Sequence, residues 1–309
     1  MRLRLAINNC FAVKRWPLAD EWAQIVAGEL GLDSVQHSLD LVDLGAPESE
    51  QEAQAEEVRN ACARAGLVVH SVFTGLAAYS SNMMLAPAPD ARRRAAGYWA
   101  AAIRFAARLE ATSVGGHLGS LSRADADNPE RRAALWDELD EHLESLRRLA
   151  GERGVAALLV ENMACDREPS TMGEMRSLMR EREGRRAAVR LCLDVGHQCV
   201  PGSSGEERDP YAWLRALGSC AAVVHLQQSA ADGDGHWPFT PQRNRLGRIE
   251  APRVLEALAA SGAENVALIL EVIPAFEADD RIVLAELAES VDYWRAALAD
   301  FDHTRRAVS

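Results

Sequence analysis

A chain of 309 residues, 48 % apolar and 26 % charged, can bury a large core, and its length suits an α/β barrel, which typically runs to about 250 residues or more. A net charge of −12 argues against nucleic acid as a partner, because such binding relies on a basic surface that neutralises phosphates. No stretch approaches the roughly 20 apolar residues of a membrane span, and the opening MRLRLAINNC lacks the apolar run and cleavage site of a signal peptide. Six scattered cysteines (Cys10, Cys62, Cys165, Cys192, Cys199, Cys220) form no CxxC pair, so the expectation is a reduced, cytoplasmic protein with no membrane partner.

Along the chain, short apolar and β-branched runs predict strands at 3–8, 34–39, 67–73 and 112–117, then at 156–161, 189–194, 221–227 and 266–271. Helical apolar spacing fills the segments between them, at 19–30, 49–65, 90–110 and 129–152, then at 170–182, 209–218, 250–261 and 280–299. In the fourth helix Leu135, Leu139, Leu143, Leu146 and Leu149 recur at steps of three and four residues, one buried face. Ser170 and Asp209 read as helix caps, the latter followed by Pro210 in the first turn. Strand and helix alternating eight times predict a parallel sheet closed into a (β/α)8 TIM barrel, an α/β fold in one domain over residues 1–309. An open doubly wound sheet would carry a Gly-rich phosphate turn after its first strand, and INNCFAVKRW has none.

Barrel active sites lie at the C-terminal ends of the strands, so polar residues that close apolar strands carry the chemistry. Strand five ends in Glu161 and Asn162, strand six in Asp194 with His197 just beyond, strand seven in His225, Gln227 and Gln228, and strand eight in Glu271. A carboxylate emerging from an apolar strand is costly unless it is paired or coordinated. Glu161, Asp194 and Glu271 would converge on one side of the mouth as a hard-oxygen cage for one divalent ion, Mg²⁺, Mn²⁺ or Co²⁺. His37, His70 and His117 end or nearly end strands two to four and are expected to face the same mouth as substrate contacts, together with His197.

Of 34 basic residues only Lys14 is a lysine, which singles it out as a place where a compact ammonium is wanted. The loop after strand seven, ADGDGHWPFTPQRNRLGRI, has the length and the glycine and aromatic content of a covering lid. It offers His236, Arg243 and Arg245, which with Lys14 and Arg15 could bind a phosphate; the alternative is that the arginines cap a helix or pair with surface acids.

Glu161 in VEN, Asp194 and His197 in DVGH, Gln227 in HLQ and Glu271 in ILEV resemble the metal-site pattern of the xylose-isomerase-like barrel superfamily, and within it the sugar phosphate isomerase/epimerase branch. That branch includes ketose 3-epimerases and hydroxypyruvate isomerase, and the resemblance spans essentially the whole chain. The seventh-strand ligand is a histidine in ketose 3-epimerases but a glutamine in hydroxypyruvate isomerase, which Gln227 resembles. Segments 8–17 (NNCFAVKRWP) and 225–241 (HLQQSAADGDGHWPFTP) further resemble tetrulose-phosphate epimerases.

The resemblance implies an isomerase or epimerase of a small ketose or ketose phosphate. Glu161, Asp194, Gln227 and Glu271 would hold the metal, Glu161 and Glu271 would move protons through a metal-stabilised enediolate, and His197 would polarise a substrate oxygen. Rival readings within the superfamily are a three-metal apurinic-site phosphodiesterase, a keto-inositol dehydratase and a partner-dependent lyase subunit. His70, His117, Glu161, Asp194, His197, the pair Asp234 and His236, and Glu271 resemble the ligand series of the phosphodiesterase, but Gln227 stands where that series needs a histidine. Phosphorylated against free substrate, epimerisation against aldose–ketose isomerisation, and assembly into a homo-oligomer stay open on the sequence.

Overall fold

The computed structural model describes residues 1–180 and 187–308, with side chains for all of these but 306–308. Eight parallel strands close a barrel in chain order. They are β1 Arg2–Asn8, β2 Ser34–Ser38, β3 Val68–Phe73, β4 Ser113–Gly116, β5 Ala157–Glu161, β6 Ala188–Asp194, β7 Ala221–Leu226 and β8 Asn265–Leu270. Closure is made by β8 on β1, in register from Arg2 opposite Asn265 to Ile7 opposite Leu270. The chain is therefore an α/β TIM barrel, as its alternating pattern predicts.

The outer layer comprises α1 Ala19–Gln24, α2 Glu48–Ala65, α3 Pro89–Arg108, α4 Pro129–Glu152, α5 Met172–Leu178, α6 Pro210–Leu217, α7 Ala251–Ala260 and α8 Asp280–Val308. Helix α1 runs on through a π-helical turn, Ile25–Glu29. Leu135, Leu139, Leu143 and Leu146 of α4 are buried as their spacing requires, and Asp209 caps α6 by accepting from the Tyr211 amide. At α5 the cap is Thr171, not Ser170: its hydroxyl accepts from the Glu174 amide while Glu174 reaches back, a reciprocal capping box. The predicted end of that helix at 181–182 lies outside the described residues. Among the described residues no helix is long and apolar enough to cross a membrane.

What positions the site is the two-residue alternation of the strands. Val72, Leu158, Leu193, Val224 and Leu268 face the helices, whereas Ala6, Phe73, Leu159, Cys192, Val223, Ala267 and Ile269 fill the barrel interior. Each buried Phe or Ile of that plug contributes on the order of 1.5–3 kcal/mol by leaving water. Gly115 makes room for it, since a Cβ there would lie 2.4 Å from Leu159 Cβ and 2.9 Å from the Phe73 ring. Continuing the interior parity toward the C-terminal mouth gives Asn8 on β1, Gln36 on β2, Ser71 on β3, Glu161 on β5, Asp194 on β6, His225 and Gln227 on β7, and Glu271 past β8, all buried. Polar side chains thus sit directly above an apolar plug.

The same alternation corrects two expectations. His37 and His70 have the opposite parity to Gln36 and Ser71, so they leave the barrel on its helix side. His37 packs between Trp22 of α1 and Phe105 of α3, with ring centroids 5.5 and 5.9 Å away, and burial holds its imidazole neutral, down to about 3. His70 sits in the first half of β3, where burial, with the charge of Arg4 adding to it, lowers it to about 4.

Candidate active site

The floor of the mouth is a closed hydrogen-bond network. Gln36 Oε1 accepts from Asn8 Nδ2 at 2.8 Å and stands 2.7 Å from His225 Nε2, while Gln36 Nε2 donates to Ser71 Oγ at 3.0 Å. An amide oxygen only accepts, so the His225 Nε2–H donates to it. The other ring nitrogen, Nδ1, stands 3.1 Å from Glu161 Oε1 and 3.0 Å from Glu271 Oε2. Burial favours a neutral imidazole, but Cys192, Glu271 and Glu161 around it hold His225 well above the usual histidine range. Glu271 Oε1 accepts from Asn8 Nδ2 at 3.0 Å. Glu161 Oε2 accepts from the Tyr79 hydroxyl at 2.5 Å.

Asp194 completes the set from β6. Its Oδ1 accepts the Gly196 amide at 2.6 Å, and donor atoms of Glu161, Asp194, His225 and Glu271 lie within 4.8 Å of one another. Three buried carboxylates cannot share such a space at low cost unless a positive charge joins them. The donor set fits a hard divalent cation. Gln227 stands beside it differently from the expected ligand pose. Its Oε1 accepts from Ser229 Oγ and from the His236 amide, both at 2.6 Å. Its Nε2 donates to Asp194 Oδ1 at 3.0 Å and Asp234 Oδ1 at 2.7 Å. Backbone N–H of His236 needs an acceptor, which fixes this amide orientation.

On the far side of Asp194 lies a second group. His197 Nδ1 donates to the Asn162 carbonyl at 2.7 Å and its Nε2 stands 3.4 Å from Asp234 Oδ2. His236 Nε2 stands 3.3 Å from Asp234 Oδ1. Against the effect of burial, Asp194 and Asp234 hold His197 well above its usual range, and Asp234 with Glu271 raises His236 to about 9. Asp234, flanked by both rings, is held well below the carboxylate range.

Above these groups opens a cavity of about 250 Å³, lined by residues that include Tyr79, Glu168, His197, Asp234, His236 and Glu271. That is below the roughly 300–1,000 Å³ of drug-sized sites, so it suits a small ligand. Burial raises Glu168 to about 7, against the opposing charges of His197 and Arg167. His117 backs the wall: its ring stacks on Tyr79 at 4.9 Å and its Nε2 donates to the Ser81 carbonyl at 3.3 Å.

The proposed phosphate contacts are dispersed. Lys14 is exposed, with its Nζ 4.3 Å from the Phe276 ring centroid, on a groove that shares Leu76 with the cavity. Arg15 is spent on the β8 loop, donating to the carbonyls of Ala275, Phe276 and Ala278 and pairing with Asp280. Arg243, on the short helix Pro241–Leu246, covers the Trp237 ring at 4.7 Å and does not line the cavity.

Sequence reading missed Asn8, Gln36, Ser71, Tyr79 and Glu168, and used Asp234 only in the rival phosphodiesterase series. Asn8, Gln36 and Ser71 carry a legible signal, polar residues at interior parity within apolar strands. Tyr79 carries none, because its place depends on how the loop after β3 folds into the short helix Leu76–Tyr79.

A barrel with this ring of carboxylates and histidines at its C-terminal mouth defines a class of small-molecule enzyme folds, and the xylose isomerase-like TIM barrel family model matches residues 25–296. The chain belongs to that family. It is 29 % identical over 306 residues, 95 % of this chain and 96 % of the relative, to a D-erythrulose 1-phosphate 3-epimerase of Brucella abortus (strain 2308). A crystal structure from Rhodospirillum rubrum ATCC 11170, described as a putative xylose isomerase, superposes with a TM-score of 0.88 at 32 % identity, covering 96 % of this chain and 99 % of that one. D-Psicose 3-epimerase from Clostridium cellulolyticum H10, solved with D-tagatose, shares the fold at a TM-score of 0.71 and 17 % identity, covering 96 % of this chain and 99 % of its own.

Proposed function

We propose that this chain is a sugar epimerase that inverts a carbon beside the carbonyl of a short ketose phosphate with the help of one divalent cation. The observation that carries this reading is the convergence of Glu161 and Glu271, from the ends of β5 and β8, on one ring nitrogen of His225 at the floor of a small cavity. The named activity of the Brucella relative supports the substrate class. Glu161, Asp194 and Glu271 would hold the cation, with a β7 side chain, His225 Nδ1 or Gln227, as the fourth donor. When bound, a divalent ion there supplies Lewis acidity to a carbonyl and its neighbouring hydroxyl.

The chain's own residues then move the proton. One glutamate, as carboxylate, takes the proton from the carbon next to the carbonyl. The other, as carboxylic acid, returns one to the same carbon from the opposite face, which inverts it. His197 and His236, held protonated by Asp234, line the cavity and would place positive charge beside substrate oxygens. The barrel walls and the small volume exclude bulk water from the exchange. A three-metal phosphodiesterase reading loses support, because His70 of its ligand series lies in the first half of β3 on the helix side.

The test is incubation of the purified chain in D₂O with Mn²⁺ and D-erythrulose 1-phosphate, alongside free ketoses. Deuterium entering one carbon beside the carbonyl, with the epimer appearing and both stopped by EDTA, is the expected result. Absence of exchange from every ketose and ketose phosphate, or exchange indifferent to EDTA, would overturn the proposal.

A further inference from the structure

Two glutamates of like type do not have like surroundings. Glu271 is held by an amide, Asn8 Nδ2 at 3.0 Å, on the barrel floor. Glu161 is held from above by a hydroxyl, Tyr79 at 2.5 Å, on the cavity side. Tyr79 ends the short helix Leu76–Tyr79 in the loop after β3. That helix is fixed at its start by Asp40 of the β2 loop, whose carboxylate accepts the Leu76 amide at 2.5 Å and the Ala77 amide at 3.2 Å. A Cβ on Gly75 would lie 2.0–2.3 Å from the Asp40 carboxylate atoms, so the contact is close enough to need glycine there. At its other end the Tyr79 ring stacks on His117, and His117 is tied to the Ser81 carbonyl. The phenol is thereby clamped in place from β2, β3 and β4.

We infer that Tyr79 is a positioning residue for Glu161: it fixes one carboxylate oxygen at the cavity wall so that the other is presented to the floor beside His225. A carboxylate turns about its last torsion with little resistance, since sp³–sp² torsions are broad. Without a donor on Oε2, Glu161 would sample orientations in which neither oxygen is aimed at the carbon to be deprotonated. Placement errors near 1 Å at a reacting group can cost on the order of a hundredfold in rate. The hydroxyl is a fit donor for the task. A phenol O–H offers the single donor that a carboxylate oxygen accepts, and the stacked ring holds it on that line. The inference rests on Glu161 being one of the two proton-transfer groups.

The experiment compares Tyr79→Phe, which keeps the ring stacked on His117 and removes only the oxygen, in two backgrounds. In the wild-type background it should lower kcat at least tenfold on D-erythrulose 1-phosphate with Mn²⁺ and leave KM within about twofold. In a Glu161→Asp background, whose shortened side chain no longer reaches the hydroxyl, the same substitution should cost less than about twofold, the signature of coupling through one contact. A readout independent of turnover is the crystal structure of Tyr79→Phe: the Glu161 carboxylate should rotate or split while Asp194 and Glu271 stay in place. Wild-type kcat in Tyr79→Phe, an equal loss in both backgrounds, or an unmoved Glu161 would overturn the inference. If Glu161→Gln abolishes turnover while Tyr79→Phe does not reduce it, the inference alone fails. If Glu161→Gln turns over normally, the two-glutamate reading fails and takes the inference with it.

Discussion

The side-chain oxygen of Gln227 accepts the backbone N–H of His236 at 2.6 Å, so the β7 strand end and the loop beyond it are locked together at the edge of the carboxylate cage. The same amide donates to both Asp194 and Asp234, and in the protein without a cation it is a neutral wedge between two anions. Gln227→Glu would keep the acceptor for His236 but lose both donations and add a charge. The metal-free variant should melt lower than wild type, by an amount corresponding to about 2–3 kcal/mol for a lost charged hydrogen bond. Mn²⁺ should raise its melting temperature more than it raises that of wild type, because a fourth carboxylate adds to the cation's attraction. Calorimetric scans with and without Mn²⁺ check both parts, and equal metal-induced shifts would refute the wedge role.

Loss of either proton-transfer group should be severe and specific. Glu161→Gln and Glu271→Gln each remove a base or an acid, worth about 10² to 10⁴-fold in rate. Each should also weaken the cation site. Single-turnover measurements at saturating Mn²⁺ separate the two effects, since a loss owed to metal alone would be restored by excess ion. Recovery to within about threefold of wild type would show that neither side chain moves a proton.

How far this site could be read in the sequence depends on parity. Glu161, Asp194 and Glu271 close strands whose apolar runs are unmistakable, and the structure brings their donor atoms together with His225. His37 and His70 also lie in strands, but proximity to a strand end does not decide which face a side chain presents. Counting in twos from Phe73 places Ser71 inside and His70 outside. Gln227 enters the ligand set by resemblance, and the loop amide and loop hydroxyl that its side-chain oxygen accepts come from a segment whose path no periodicity encodes. Tyr79 belongs to the same class, a loop residue on a short helix whose start is held by Asp40, remote in the chain.

The parity argument makes a prediction of its own. His37→Leu should leave kcat and KM unchanged, because the ring faces α1 and α3, away from the cavity. It forfeits the Asn9 Nδ2 donation at 3.0 Å but also removes a buried Nε2 that has no partner. The stability change should therefore stay within about 1 kcal/mol. A large loss of activity with an intact fold would place His37 back in the mouth.

Glu168 supplies a pH test in the metal-free protein. Burial raises its carboxyl from 4.5 to about 7, so the folded chain holds this proton over a range in which the unfolded chain has released it. Between those values the unfolded state binds fewer protons, and stability falls as pH rises. Relative to Glu168→Gln, wild type should lose stability from about pH 4.5 upward and level off above about pH 7. Melting temperatures of the two proteins across that range give the comparison. A constant difference between them would mean that Glu168 titrates normally.

Lys14 is the remaining test of the phosphate assignment. Its ammonium rests over the Phe276 ring at 4.3 Å, at the rim where the β1 and β8 loops meet, and its groove joins the cavity at Leu76. Neighbouring Arg15 is consumed by loop carbonyls and Asp280, and Arg243 lies over Trp237 away from the cavity. Of Lys14, Arg15 and Arg243, Lys14 is thus the one placed to swing toward a phosphate at the entrance, and a compact ammonium on a flexible stem suits that reach. Lys14→Ala should raise KM for D-erythrulose 1-phosphate about tenfold, roughly 1.4 kcal/mol of binding, and leave KM for an unphosphorylated ketose unchanged. Rising salt should erase part of the difference, because an exposed charge pair is screened. Lys14→Arg should fall between the two, keeping the charge but not the shape. Equal KM values for wild type and Lys14→Ala on the phosphorylated sugar would leave the phosphate without a side-chain cation at this rim.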